Sequence, residues 1–247
     1  MTKKLFILAL ALLAAQPAFA GIHADGPLIQ SSEEDALYKA AYEMAILQQG
    51  DANFSDELLA SMSSQIYIAY SEIPEFAELE EASPGFLDAL VAAVIPVIVK
   101  QTTDSYPALY DNLAKFYAKN LELEDIENAT RFFATDSYRV IRESTENNLD
   151  MSSILSGAVE DPDGNISSDD LEKLVENSVA QSVGGWDKQV RTDLLKFAFT
   201  PTGRKMTSLR AQRNQIEADW ANESTPEEDR ELEEVLENVI LKFAEAE

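Results

Sequence analysis

The 247 residues hold a single histidine, His23, and no cysteine, and that inventory decides most of the chemistry open to the chain. A buried Ser-His-Asp triad, a thiolate nucleophile and a histidine-based catalytic zinc site all need residues that the body of the sequence lacks. What remains is chemistry by carboxylates, Lys, Tyr or Ser alone. Adjacent acids such as Glu80-Glu81 do not face one another on a helix, so they read as solvated surface.

His23 gains meaning from what precedes it. Lys3 and Lys4 lead into an apolar run, Leu5–Ala15, and Ala18-Phe19-Ala20 is a small-x-small cleavage site, so residues 1–20 read as a secretory signal peptide. The run is about half the roughly 20 residues needed to span hydrocarbon, which predicts no retained anchor. Cleavage after Ala20 would expose Gly21-Ile22-His23, whose amine, two backbone amides and imidazole make a square-planar four-nitrogen set suited to Cu(II) or Ni(II). The plainer alternative is an unstructured terminus in which a histidine falls third by coincidence. No other cofactor is called for.

Two further patterns carry chemistry on their face. Asp161-Pro-Asp163-Gly164-Asn165-Ile166-Ser167 resembles a calcium loop, but placing Gly164 sixth puts Val159 where the first oxygen ligand belongs. A turn leading to a helix capped by Ser167 with Asp170 accounts for it better. Glu143-Ser144 and Glu223-Ser224 have the order found in helical transglycosylases that cleave peptidoglycan. The Gly-Leu-Met-Gln-like and Ala-Tyr-Asn-like segments expected downstream are missing.

The elements that would position such groups are helical throughout, because apolar residues recur with helical period and strand-like alternation is nearly absent. Residues 33–49 and 55–72 predict a first pair of helices around Gly50. An acidic stretch, Glu75–Glu81, leads to Ser83-Pro84-Gly85. Phe86–Val99 predicts a central buried helix, too short for a membrane span and kinked or broken near Ala93–Ile95 by Pro96. Further helices are expected over 105–120, 123–146, from Leu171 to Val183, from Trp186 to Phe197, from Met206 to Trp220, and from Leu232 to Phe243. The last opens on a capping box, Thr225 with Glu228, and has Pro226 at its first position. The fold class is all-α, a bundle of about nine to eleven helices. Residues 21–82 form an N-terminal helical region and 83–247 a helical body.

The segment from Asp193 to Met206, D-L-L-K-F-A-F-T-P-T-G-R-K-M, resembles the signature of the bacterial exported family called domain of unknown function 2059, a helix ending in F-Y-x-S/T-P-x-G-x-K/R. Phe197, Phe199, Thr200, Pro201, Gly203, Arg204 and Lys205 carry the match. The resemblance implies a helical, exported protein without an assigned activity. Phe116–Leu121, Ile126 and Arg131–Thr135 resemble the lead into the same element, with Asp136 and Tyr138 standing where Pro201 and Gly203 stand in the second copy. Two diverged repeats are therefore expected, near 88–145 and 170–220. In the element itself, Thr200 would cap a helix starting at Pro201, Gly203 would let another helix approach closely, and Phe197 and Phe199 would bury. Arg204 and Lys205 oppose the dipole at a helix start, so they need internal carboxylates or an anionic ligand as partners.

Forty-five acids against 19 Lys and Arg give a net charge of −26. Such a field repels nucleic acid and anionic membranes. The sequence thus predicts a periplasmic or secreted binding or scaffold protein, without catalysis, whose partner is another envelope protein. A carboxylate-dependent hydrolase or lyase acting on cell-wall glycan is the rival. The exported form is expected to begin at Gly21, and intact-mass analysis that finds residues 1–20 retained would remove both the export and the copper readings.

Overall fold

The computed structural model describes residues 33–50, 54–160 and 164–245. Among them 84% are helical, in twelve helices with no strand, so the all-α bundle expected from periodicity is the fold. In chain order these are α1 (Glu33–Gln49), α2 (Asp56–Ser71), α3 (Pro74–Ala82), α4 (Phe86–Asn120), α5 (Leu123–Phe133), α6 (Asp136–Glu146), α7 (Ser152–Glu160), α8 (Ser168–Ser182), α9 (Lys188–Ala198), α10 (Pro201–Ser208), α11 (Arg210–Asn222) and α12 (Pro226–Ala244).

The central element is α4, 35 residues that run unbroken through both Pro96 and Pro107. The break expected near Ala93–Ile95 does not occur, and the helices expected over 86–99 and 105–120 are one. Proline removes the hydrogen bond to the carbonyl four residues back, here Ala92 and Thr103. Both prolines and both of those residues lie on the exposed face, where water can take the freed carbonyls. The joined helix also removes the argument from length: an 18-residue window of α4 has a mean hydropathy of 1.5, although half of that window is buried inside the bundle.

Around α4 pack α1, α2, α3, α11 and α12. Trp220 of α11 is buried edge-on against Tyr106 and donates its indole N–H to the Ser105 carbonyl at 3.2 Å. The start of α12 is held by Gln101, which donates to the Glu228 carbonyl at 3.0 Å, and its end by Phe243 packed edge-on against Phe86. A second group, α6 with α8 and α9, joins this layer through α11, which packs on α8, and through α5, which packs on both α1 and α6.

Several boundaries differ from the sequence reading. The 123–146 helix is two, because Thr135 caps a new start: its Oγ1 accepts from Tyr138 N at 3.2 Å and donates to the Phe132 carbonyl at 2.7 Å. The helix carrying Met206 and Trp220 likewise divides at Leu209, and Trp186 lies before the Asp187 cap and not on the helix that follows. The acidic stretch is itself a helix, α3, started by Pro74 and anchored by Phe76, which packs edge-on against Tyr70 and Phe86. The capping boxes at Ser167/Asp170 and Thr225/Glu228 both form as expected.

One cap reaches between helices. Gly85, the residue before α4, has φ 95°, and the α4 start receives no cap from that position's own side chain. Glu80 of α3 supplies it, accepting from Gly85 N at 2.9 Å and Leu87 N at 2.8 Å. Those two N–H groups hold the Glu80 carboxyl below the usual range. Its contribution is therefore complete above the unfolded carboxyl value of about 4.3 and is lost as pH falls through the lower folded value. Glu80→Gln is expected to cost about 1 kcal/mol at pH 7, as for other lost caps. Acid titration of its melting temperature should show a smaller decline below pH 4 than in the parent chain.

Candidate functional site

The element matched to the family resemblance is a tight junction. Thr200 Oγ1 accepts from Gly203 N at 2.9 Å and donates to the Phe197 carbonyl at 2.7 Å, while Pro201 occupies the first helical turn of α10. A Cβ on Gly203 would lie 2.1 Å from the Phe197 carbonyl oxygen and 2.9 Å from Ala198 Cα. The helix that approaches so closely is α9 itself. Phe197 is half-buried and its ring stacks on Phe132, 4.1 Å away and 4° from parallel.

Phe199 does not bury as expected; it is 71% exposed, and Leu195 four residues earlier is 55% exposed. The two share an outer stripe of α9, opposite the side on which Leu194 and Phe197 reach the core. The cations divide between two partners. Arg204 Nη2 donates to the Phe199 carbonyl at 3.0 Å, so its charge sits at the favourable C-terminal end of α9. Lys205 forms an ion pair with Asp125 of α5, a buried residue that also accepts from Thr202 Oγ1 at 3.0 Å. The Lys205 hydrogen bond, joined by that of Thr202, holds the Asp125 carboxyl low. Both cations thus have internal partners.

Gly21, Ile22 and His23 lie outside the described residues, as does the stretch 161–163 of the loop resembling a calcium site. The Asp170 carboxylate is taken up by Ser167, through its N at 3.2 Å and its Oγ at 2.6 Å. Of the two Glu-Ser pairs, Glu143 pairs with Arg139 at 3.4 Å, and Ser144 Oγ accepts the Trp186 indole N–H at 2.7 Å.

The structure gathers a different set of residues. A cavity of about 170 Å³ opens between the C-terminal end of α1 and helices α6, α8 and α11. Its walls are mostly aliphatic, from Ile141, Leu149, Leu171, Leu174, Val175 and Val179. Arg142 and Arg213 line it, each with a glutamate one turn later, of which Glu217 also lines the cavity: Arg142 Nε lies 3.4 Å from Glu146 Oε1, and Arg213 Nε lies 3.3 Å from Glu217 Oε1. Gln49, 2% exposed, donates its Nε2 to Glu217 Oε1. Gln48 accepts the Tyr117 hydroxyl on its side chain and the Tyr138 hydroxyl, at 2.8 Å, on its carbonyl. Burial pushes the Tyr138 hydroxyl up to about 12, so it stays a donor. Burial opposes the Arg213 charge, but Glu217 and the two tyrosines outweigh it and keep the guanidinium protonated.

A second cavity of about 270 Å³ shares Gln48, Tyr138 and Arg213 with the first, and its far side is built from Phe132, Phe197, Gly203 and Met206. The resemblance element therefore stands one residue layer from the charged cavity. Sequence reasoning missed Arg142, Glu146, Arg213 and Glu217; the available signal was the repeated Arg-x-x-x-Glu spacing on helix faces that also carry core residues.

Among the described residues, the carboxyls of Glu80, Asp111, Asp125, Asp150, Asp193 and Glu231 are each lowered chiefly by a hydrogen bond from a neighbour. A glycosidase general acid needs the opposite shift. No family model matches the chain, and no curated protein or solved structure does so either.

Gly203→Leu is expected to destabilise by about 3 kcal/mol, the upper end of the overpacking range, because the obstructing atoms are backbone. A variant melting like the parent would show that the α9–α10 junction is loose.

Proposed function

We propose that the chain is an exported, non-catalytic binding protein of the bacterial envelope, and that the cavity between α1, α6, α8 and α11 is its binding site. The observation that carries this reading is the charged lining of Arg142, Arg213 and Glu217, with Glu146 paired to Arg142 behind it, in a cavity whose exposed surface is mostly apolar. Burying ion pairs costs several kcal/mol in desolvation, and well-packed apolar residues of similar volume often stabilise as well or better. A helix bundle serving only as architecture has no use for two such pairs beside open space. The downward shifts at Glu80, Asp111, Asp125, Asp150, Asp193 and Glu231 make those six carboxylates unsuited to act as a general acid.

The same reading includes export by the residue 1–20 signal, kinship with the domain of unknown function 2059 family, and α4 as a core helix with no segment crossing a membrane. An envelope partner protein would meet the exposed stripe of Leu195 and Phe199. It also includes descent of the body from a duplicated unit. Support comes from one constant offset that relates α5 to α9, the caps Thr135 and Thr200, and the stacked rings of Phe132 and Phe197. Ser137 donates to Asp193 at 2.8 Å, and at the same offset Thr202 meets Asn128 at 3.5 Å.

Thermal melts of residues 21–247 against a panel of small acids, amines, amides and amino acids test the site. A ligand at a hundred times its Kd is expected to add about 2.7 kcal/mol. Val179→Phe, which fills the cavity, should lose that gain while keeping the fold. A gain that survives Val179→Phe places binding elsewhere, and no gain from any compound removes the reading.

A further inference from the structure

Resting on the cavity as a binding site, we infer that its ligand is a small aliphatic α-amino acid, bound as the zwitterion. The unfilled groups on the charged wall define the head group. Gln49 Oε1 is buried without a hydrogen-bond partner, and its amide cannot be turned over, because Nε2 is engaged by Glu217 and a flip would set carbonyl against carboxylate. It calls for a donor. Arg213 Nε is also buried without a hydrogen bond, since its 3.3 Å approach to Glu217 Oε1 is an ion pair without hydrogen-bond alignment. It calls for an acceptor. Gln49 Nε2 and Arg213 Nε approach the same oxygen of Glu217, and both unfilled atoms are closed off from the cavity, so one compact head group carrying a donor and an acceptor would meet them by parting the side chains at that oxygen.

Charge balance selects among such head groups. Arg142, Arg213 and Glu217 line the site, and Glu146, paired with Arg142 outside the lining, brings the four groups to formal neutrality, so a simple carboxylate or a simple amine would arrive with an uncompensated charge in a desolvated place. A zwitterion adds none. A neutral amide adds none either, but it forgoes the charge-assisted bonds, ammonium to Gln49 and Glu217 and carboxylate to Arg213, which are roughly twice as strong as neutral ones.

The rest of the ligand follows from volume and lining. An apolar cavity of about 150 Å³ accommodates benzene, so about 170 Å³ suits roughly six to nine non-hydrogen atoms. Walls of Leu171, Leu174, Val175 and Val179 match a branched aliphatic side chain. Leucine has the required size, shape and head group.

Titration calorimetry of residues 21–247 with leucine, isocaproate, isoamylamine and isocaproamide separates these terms. Leucine is expected to bind one to one. The three others, which share its branched chain but lack one or both charges, should bind at least tenfold more weakly. Gln49→Met should weaken leucine about tenfold, and Val179→Phe should abolish its binding with the melting temperature maintained or raised. Equal or tighter binding of isocaproate, isoamylamine or isocaproamide, lost in Val179→Phe, overturns the zwitterion while the cavity stands as a binding site. No binding of any of the four overturns the amino-acid assignment, and the wider thermal panel then decides the cavity separately. Leucine binding that is unchanged in Val179→Phe overturns the placement.

Discussion

The solvent-facing placement of two prolines is the constraint on which the bundle depends. Pro96 and Pro107 fall on the exposed stripe of α4, as do the residues whose carbonyls they leave unpaired. Had either faced inward, a carbonyl would have been buried without a partner and the helix would have bent or stopped. Because α4 continues, a single apolar face from Phe86 to Tyr117 is offered to α1, α2, α3, α11 and α12 together. The protein has no disulfide to hold helices in register, so this shared helix does that work.

Where α1 ends, the same helix supplies polar groups. The last carbonyls of a helix lack intrahelical donors, and α1 has no basic residue in its last turn to meet them. Tyrosines meet them instead: Tyr110 of α4 donates to the Gly50 carbonyl and Tyr138 of α6 to that of Gln48. Burying a helix terminus in this way brings Gln48 and Gln49 into the interior, and the two Arg-Glu pairs collect around them. The charged cavity is thus a consequence of where α1 stops.

Helix positions were readable wherever a stripe of apolar residues coincided with a cap. Ser167 with Asp170, Thr225 with Glu228, and Thr200 before Pro201 each stand where local chemistry puts them. Boundaries were misread where a local rule and its solvent context disagreed. Pro96 disrupts a helix most where its orphaned carbonyl is buried, and exposure is a tertiary property. Thr135 divides α5 from α6 with the same hydroxyl geometry as Thr200, but without a following proline it looks like a helix-interior threonine. The acids before Ser83 read only as solvated surface, although one of them, Glu80, caps the next helix.

The site was illegible for a related reason. Arg142 and Arg213 lie far apart in the chain, and each Arg-x-x-x-Glu pair, taken alone, is an ordinary surface pairing worth a few tenths of a kcal/mol. Only packing brings both pairs to one cavity with the amide of Gln49, and burial changes their meaning, because a desolvated charge must keep its partners. The resemblance element was legible, including the need of Arg204 and Lys205 for internal carboxylates or an anionic ligand. Its cations are consumed by Asp125 and the end of α9, and its contribution is the wall of Phe197, Gly203 and Met206 facing Tyr138 and Arg213. Because Gly203 leaves no space between α9 and α10, that wall cannot yield without moving the backbone. Arg213, shared by both cavities, is therefore backed by a junction closed by backbone atoms.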